Sequence, residues 1–209
     1  MSDLYTLLFL LKGPMQSWGF RSRFDHRDTA LEPTRSGLIG LICAAMGIPR
    51  GEDISRFDTI RMGVRVDQEG RQERDYHTAR DVIKAGGSGT DTVVSRRDYL
   101  ADAIFTVGFE SGNKSLLDDI AKALRNPEWP LFLGRKAFPL SEPPLRPDVC
   151  PKSGTLEDYL LSDGSGKRCV LEASNGERIQ HDWPLCFGTR RFKPRSITIR
   201  YDHAQGGRI

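Results

Sequence analysis

The feature that most constrains the fold is an apolar helical segment with a strand-like segment on each side. "SGLIGLICAAMG" predicts a helix over about 37–46, with Thr34 or Ser36 as its cap and Gly47 after its end. The helix is apolar nearly all round, so it must lie on a sheet and be covered on its other side. "LYTLLFLL" at 4–11 predicts a central strand buried on both faces, and "TIRMGVRVD" at 59–67 predicts a second strand. A layered core of helices and sheet follows from this pattern.

The segments further along the chain extend the same order. Residues 102–110 predict a third strand, and "SLLDDIAKALRNP" predicts an amphipathic helix capped by Ser115. "PLFLG" at 130–134 predicts the last strand. The order predicts an α+β fold: a ferredoxin-like (RRM-like) βαββαβ domain over residues 1–140. Residues 141–209 are expected to be a small C-terminal part that contains strands, at "RCVLEA" and "SITIRY", and that packs on this domain.

A long stretch between the second and third strands breaks the apolar pattern. Residues 71–100 carry charges of both signs, and Gly86, Gly87 and Gly89 fall within four positions. The stretch has no sustained apolar period. We therefore expect a long β-hairpin, inserted in the domain and leaving its body like a thumb.

Composition limits the possible settings and partners. A net charge of +3 and a pI near 8.7 permit a polyanionic partner without requiring one. The four cysteines form no CxxC motif, and Cys43 falls in the apolar helix, so we expect free thiols and a cytoplasmic protein. The apolar run at the start is too short to span a membrane, and no membrane partner is expected.

The loop after the first strand, "KGPMQSWGFRSRF", mixes cations with aromatic rings. Single-stranded nucleic acid is bound by such mixtures, in which cations contact phosphates and rings contact unstacked bases. The alternative is that Trp18 packs on the helix and the arginines are solvated. Composition favours neither, although we favour a core position for Trp18. The charged and aromatic members of the segment are Lys12, Trp18, Phe20, Arg21, Arg23, Phe24 and Arg27.

Two further segments could contact an anion. "PTRSG" places Arg35 and two hydroxyls at the start of the first helix, where exposed N–H groups attract anions; ordinary capping is the alternative. "GRK" at 134–136 places two cations after the predicted last strand. The segment 187–200 has five basic residues and no acidic one, and it is either a contact surface or a solvated face.

No catalytic site is predicted. Tyr76, His77 and Lys84 could in principle cleave RNA by general acid–base chemistry, but adjacent strand residues face opposite ways, which favours an exposed hairpin histidine. No metal-ligand cluster or phosphate-binding glycine loop is found in the sequence, so neither a metal nor a cofactor is expected.

Several blocks together resemble a known family. "LLFLLKGPMQSWG", "PTRSGLIGLICAAMGIPR", "DYHT", "SRRDYLADAIFTVGFE" and "PLFLGRKAFPLSEP" resemble, in this order, the CasD family of type I-E CRISPR Cascade subunits, which belongs to the repeat-associated RNA-binding superfamily. The blocks span about residues 4–143. Any one block alone is a weak signal, but their joint order is specific.

The resemblance implies a function and a set of partners. It implies a non-catalytic subunit of an antiviral ribonucleoprotein that caps the 5′ handle of the crRNA. It further implies that the thumb packs on the adjacent CasC backbone subunit, near the target DNA strand at the start of the guide, and that the large CasA subunit is also contacted. The alternative is a metal-independent endoribonuclease that processes repeat RNA, as in the type I-C relative.

When the family's contact segments are matched to the positions of this sequence, the resemblance implies two sets of residues. The expected RNA-binding residues are Lys12, Gly13, Gln16, Ser17, Arg21, Arg23, Arg27, Thr34, Arg35, Ser36, Arg135 and Lys136. The expected thumb and partner contacts are Tyr76, His77, Arg80, Lys84, Arg96, Arg97 and Tyr99.

Overall fold

The computed structural model describes residues 3–19 and 25–203. The predicted contacts Arg21 and Arg23, with Phe20 and Phe24, lie outside the described residues. The strands described are β1 (Tyr5–Lys12), β2 (Met15–Gln16), β3 (His26–Arg27), β4 (Arg61–Gln68), β5 (Arg71–Ile83), β6 (Thr90–Ala101), β7 (Ile104–Ser111), β8 (Lys152–Ser153), β9 (Ser165–Glu172), β10 (Arg178–Cys186) and β11 (Arg191–His203). The helices described are α1 (Arg35–Ala45), α2 (Lys114–Arg125) and α3 (Leu156–Leu160), with a short 3₁₀ turn at Ser55–Phe57.

The larger sheet has seven strands in the order β10–β11–β9–β4–β7–β1–β8, and every neighbouring pair is antiparallel. α1 and α2 lie against it, and the core contains Leu7 and Phe9 of β1 and Phe105 and Phe109 of β7. The predicted α+β class is confirmed.

The strand predicted as the last of the ferredoxin-like unit does not form, and a different segment takes its place in the sheet. "PLFLG" forms only an isolated bridge between Phe132 and Pro139, so the strand predicted there is wrong. Leu133 is fully buried as a core residue, and Gly134 turns the chain with a φ of +87°. The sheet position beside β1 is taken by β8, about twenty residues later in the sequence.

Both long helices begin at a polar cap. α1 is capped by Thr34, whose Oγ1 accepts a hydrogen bond from the N–H of Gly37, and the helix starts two residues earlier than predicted. α2 is capped by Asn113, whose side chain accepts from the N–H of Leu116, and not by Ser115. The predicted apolar stripe of α2 is confirmed as buried: Leu116, Leu117, Ile120, Ala121 and Leu124.

The C-terminal strands continue the larger sheet, because β9 pairs with β4 through Gly63, Val64 and Arg65. The strands predicted at "RCVLEA" and "SITIRY" correspond to β9 and β11. β10 was not predicted because it contains a proline and because its apolar and polar residues do not alternate regularly, as they do in a typical strand. The division of the chain at about residue 140 stays a prediction.

The hairpin predicted over residues 71–100 is confirmed: its two strands extend from Arg71 to Ala101. β5 and β6 pair from Arg71–Ala101 to Ile83–Thr90, and the turn beyond them contains Gly87 and Gly89 with positive φ. β2 pairs with the base of β6 in antiparallel orientation, and β3 pairs with β6 in parallel orientation. The loop after β1 is therefore partly incorporated in the thumb sheet.

A buried ionic network joins α1 to the C-terminal strands. Arg35 is 1% exposed, and it donates to both carboxylate oxygens of Glu172 at 2.8 and 2.9 Å. Arg195 donates to the same carboxylate and to Asp182. Trp183 stacks on the Arg35 guanidinium, whose central carbon lies 3.6 Å from the ring centroid. Charges this deeply buried stabilise a fold only when each has a partner.

The four cysteines are free thiols. Cys43 of α1 is buried, and burial raises its pKa to about 11. Cys169 lies in the core beneath α3, and burial likewise raises its pKa to about 12.

We predict that Glu172→Gln destabilises the protein by about 3–5 kcal/mol, because it leaves Arg35 and Arg195 buried with one carboxylate fewer. The matched control is Glu177→Gln, since the Glu177 side chain is 63% exposed and pairs with an exposed Arg200. That change should cost at most about 1 kcal/mol. Urea unfolding monitored by circular dichroism measures both, and equal losses in the two variants would contradict the prediction.

Candidate nucleic-acid interface

The first part of the loop after β1 is a packed structure. Gln16 is fully buried; its amide donates to the carbonyl oxygen of Ala103 at 2.8 Å and accepts from the indole N–H of Trp18. A Cβ on Gly13 would lie 2.8 Å from Leu133, so this glycine is required for packing. The Gln16 side chain is buried and cannot contact RNA, and Gly13 is buried against Leu133, so its backbone is not open to a phosphate either; this corrects the predicted role of both residues. Ser17 is also buried, and its hydroxyl donates to the carbonyl oxygen of Asp98.

Trp18 belongs to the core, as we favoured from the sequence. It is 1% exposed and packs on α1, where a Cβ on Gly37 would lie 2.8 Å from its ring. Its backbone N–H donates to the Thr29 hydroxyl at 2.9 Å. The indole thus fixes the loop to the body and is not available for stacking on a base.

The second part of the loop reaches the thumb. His26 and Arg27 form β3, which pairs in parallel with Arg96 and Arg97 of β6. Arg27 is exposed, and the pairing places its backbone directly beside that of Arg97. Two arginines distant in sequence are therefore neighbours on one edge of the thumb base.

Asp98 is the anchor of this region. Its side chain is 5% exposed, and it accepts from Nε of Arg74 at 2.7 Å while lying 2.8 Å from Nε2 of His26. The pKa of Asp98 lies below its ordinary value, chiefly because Arg74 donates to it, with His26 adding to the effect and burial opposing it. The carboxylate is thus held as an anion between β5, β3 and β6.

The "GRK" segment at 134–136 lies against the same region. Arg135 donates to the carbonyl oxygen of Asp98 at 2.8 Å, and its guanidinium lies over the ring of Phe138. Burial lowers the pKa of Arg135, and the positive charges of Arg97 and Arg27 lower it further. Lys136 is exposed beside it. We call Arg27, Arg97 and Arg135 the thumb-base cluster.

The charge of the thumb-base cluster is only partly balanced. Asp75 and Asp98 lie close enough to Arg135 to oppose the lowering of its pKa. Among the described residues, however, none of the three guanidinium groups forms an ion pair within 4 Å. An anionic ligand would reduce their mutual repulsion.

The start of α1 is not an open anion site. The N–H of Arg35 already donates to Asp182 at 2.8 Å, so the protein supplies its own anion at this terminus. Thr34 is buried as the cap. The buried Arg35 guanidinium donates through its two terminal nitrogens to Glu172 and to the carbonyl oxygens of Ile60 and Phe57, while its Nε has no partner among the described residues. Their predicted side-chain contacts with RNA are wrong for this physical reason; Ser36 is half-exposed.

A family model described as CRISPR-associated protein (Cas_Cas5), named Cas_Cas5d, matches residues 6–199. The chain belongs to the Cas5 family. Its sequence is 35% identical over 209 positions to the CRISPR system Cascade subunit CasD of Escherichia coli (strain K12), covering 90% of this chain and 92% of that protein. The family resemblance read from the sequence blocks is confirmed.

Two solved structures are similar to this Cas5 family member. One, described as a CRISPR RNA-guided surveillance complex, contains a chain with a TM-score of 0.80 and 33% identity, covering 95% of this chain and 90% of that one. The other, described as a crystal structure of a Cas protein, has a TM-score of 0.75 and 38% identity, covering 97% of this chain and all of that one.

The predicted thumb residues divide into two groups. Tyr76, Arg80, Lys84 and Arg96 are exposed, whereas His77, Arg97 and Tyr99 are half-buried. Tyr99 packs on Phe138 with ring centroids 5.8 Å apart, so it is part of the thumb base. The outer thumb also exposes Val82, Ile83, Val93 and Val94.

Other predicted cations are engaged locally. Lys12 lies 3.1 Å from Glu142 in an exposed ion pair. In the basic segment 187–200, Arg195 is buried in the ionic network, and Lys193 lies 4.3 Å from the Trp183 ring centroid. Arg190 and Arg191 are exposed.

The described part of the chain contains no group of three His, Cys, Asp or Glu side chains placed to hold a metal ion. Within the same residues, no helix is long and apolar enough to cross a membrane.

Sequence reasoning missed the role of Asp98 and His26. Both belong to polar segments that read as a loop and a hairpin, and only the parallel pairing of β3 with β6 brings them together. A short two-residue parallel strand leaves no apolar period in the sequence, so no local pattern could have identified it.

We predict that Asp98→Asn lowers the melting temperature at pH 7, because Arg74 loses its ionic acceptor. Since the folded-state pKa of Asp98 is lowered, its contribution is present above the ordinary aspartate pKa of about 3.9 and is lost as the pH falls further. The difference in melting temperature between wild type and Asp98→Asn should therefore shrink below that pH.

Differential scanning calorimetry from pH 7 to pH 3 measures this difference. Asp91→Asn, which changes an exposed carboxylate on the outer thumb, is the matched control and should melt like wild type. A difference that stays constant down to the lowest pH would show that the ionised carboxylate of Asp98 is not the stabilising group.

Proposed function

We propose that this chain is a non-catalytic RNA-binding subunit of a type I-E CRISPR antiviral surveillance complex and that it caps the 5′ handle of the crRNA. Support comes from its similarity to the E. coli protein named as a Cascade subunit and to the chain in an RNA-guided surveillance complex. We place this complex in the cytoplasm.

The observation that carries the proposal is the thumb-base cluster. Arg27, Arg97 and Arg135 come from three segments and converge on one surface with little opposing charge. Guanidinium groups bind phosphate oxygens in bidentate geometry and remain charged at any physiological pH. A single strand with closely spaced phosphates is the ligand that matches several fixed cations.

The fold pre-orders these cations. The β3–β6 ladder fixes the backbones of Arg27 and Arg97, and Asp98 anchors β5, β3 and the carbonyl contact to Arg135. Binding therefore requires little loss of backbone entropy at these positions. Phosphate contacts position the strand, and the sequence of the target is left to base pairing by the guide.

The outer thumb suits a protein partner. Its exposed side chains include Tyr76 and Ile83, 65% and 73% exposed, and apolar groups on a protruding hairpin gain most from burial against another subunit. We assign this surface to the adjacent CasC backbone subunit, near the target DNA strand at the start of the guide. The large CasA subunit is the second protein partner in this proposal.

We predict that Arg27→Ala combined with Arg97→Ala weakens binding of handle-containing crRNA at 0.1 M salt and reduces the slope of log K against log salt by about 1.4, as expected for two lost phosphate contacts on a single strand. Fluorescence anisotropy across a salt titration measures both effects. The control is Lys114→Ala with Lys152→Ala, which removes the same number of positive charges. Both lysines lie near Tyr5, and the length of β1 puts about 20 Å between that end of the strand and Lys12, where the loop begins.

Equal slopes for the two double variants would show that the cluster is not the RNA site. The same incubations, run without metal, test the enzymatic alternative, since the RNA recovered from the wild-type protein should be intact. Cleavage that is lost on His77→Ala or on His26→Ala would instead identify an endoribonuclease.

A further inference from the structure

A deep groove lies between the outer face of α1 and the segment that leads into "GRK". Its volume is about 600 Å³. Its floor consists of small residues on one face of the helix: Gly37, Gly40 and Ala44. Its walls are aromatic: Trp129, Phe132 and Phe187.

The groove is deep because the helix lacks side chains at its centre. A Cβ on Gly40 would point towards Phe187 and lie 3.8 Å from its ring, an ordinary contact distance. Gly40 does not need the conformational freedom of glycine, because it lies within α1. A larger side chain here would therefore occupy the part of the groove beside Phe187 without straining the backbone.

The charges around the groove are all positive. Arg50 and Lys136 are the charged residues that line it, both are exposed, and neither forms an ion pair with a described carboxylate. No acidic side chain lines it within residues 3–19 and 25–203. The groove thus combines aromatic walls with a cationic rim.

A second cleft connects the groove to the thumb-base cluster. It has a volume of about 360 Å³ and shares Ser36, Arg50 and Phe187 with the groove. Arg27 and Arg190 also line it, as does Asp182, whose buried carboxylate is paired with Arg195. A strand whose phosphates lie on Arg27 could therefore follow this cleft and turn one residue into the groove.

We propose that the groove receives one unstacked base of the bound RNA, an inference that rests on the proposed RNA-binding function. Trp129 is 42% exposed and offers a ring face, which is the surface on which unpaired bases stack irrespective of sequence. The cationic rim favours a nucleotide over an apolar protein side chain, because a nucleotide brings a phosphate with its base.

The experiment is a double-mutant cycle between the groove and the RNA. A fluorescein-labelled handle RNA is prepared intact and as a series in which one abasic ribose replaces each nucleotide in turn. Affinities are measured for wild type, Gly40→Leu and Gly40→Ala, the last of which adds only a Cβ at contact distance. Leucine favours a helix more than glycine does, so Gly40→Leu should fold.

With the wild type and Gly40→Ala, one abasic position should weaken binding about tenfold, the loss of one stacked base. Gly40→Leu should weaken binding of intact RNA by the same factor, and the abasic change at that position should then cost nothing more. Trp129→Ala should show the same coupling and serves as a second variant. Gly51→Leu is the matched control, because its Cβ would meet open space, and it should bind like wild type.

An unchanged abasic penalty in both Gly40→Leu and Trp129→Ala would overturn the base pocket. If Arg27→Ala with Arg97→Ala still loses affinity in that case, the proposed function stands without the groove. Normal RNA binding by Gly40→Leu, with failure to join the other Cascade subunits, would assign the groove to a protein partner and reject the inference. Absence of RNA binding by the wild type would reject both proposals.

Discussion

The carboxylate of Asp98 holds together three segments that are far apart in the sequence. It bonds Arg74 on β5 and His26 on β3, while its own strand carries the carbonyl that receives Arg135. Without this anion, the base of the thumb would bring several positive charges together with little to offset their repulsion. The carboxylate joins the hairpin to the loop after β1, and the backbone carbonyl of Asp98 joins the "GRK" segment to the same strand. The proposed RNA site depends on this common position.

Arginines in this protein serve two different physical purposes. Arg35 and Arg195 are buried and are matched by Glu172 and Asp182. Arg27 and Arg97 lie at the thumb base without an ion pair among the described residues. The buried pair stabilises the fold only because each guanidinium has a carboxylate partner. The pair at the thumb base would be stabilised by an anion that another molecule supplies. Basic composition alone could not separate the two classes.

Much of the fold was predictable because its elements carry strong local signals. The apolar α1, the amphipathic α2 and the glycine-rich hairpin were read correctly as elements, and the family blocks gave the right family. The errors arose where tertiary contacts decide. "PLFLG" looks like a strand, but Leu133 is drawn into the core, and the helix start looks like an anion site, but Asp182 fills it. The Asp98 anchor depends on a two-residue parallel pairing that has no sequence period.

Photocrosslinking tests the location of the RNA most directly. The complex would be assembled with handle RNA that carries 4-thiouridine at one position at a time, irradiated, digested and analysed by mass spectrometry. Crosslinks should concentrate on peptides that contain His26–Arg27, Arg96–Arg97 and Arg135–Lys136, which meet at the thumb base. Crosslinks confined to the face formed by β9, β10 and β11, with none at the thumb base, would contradict the proposed interface.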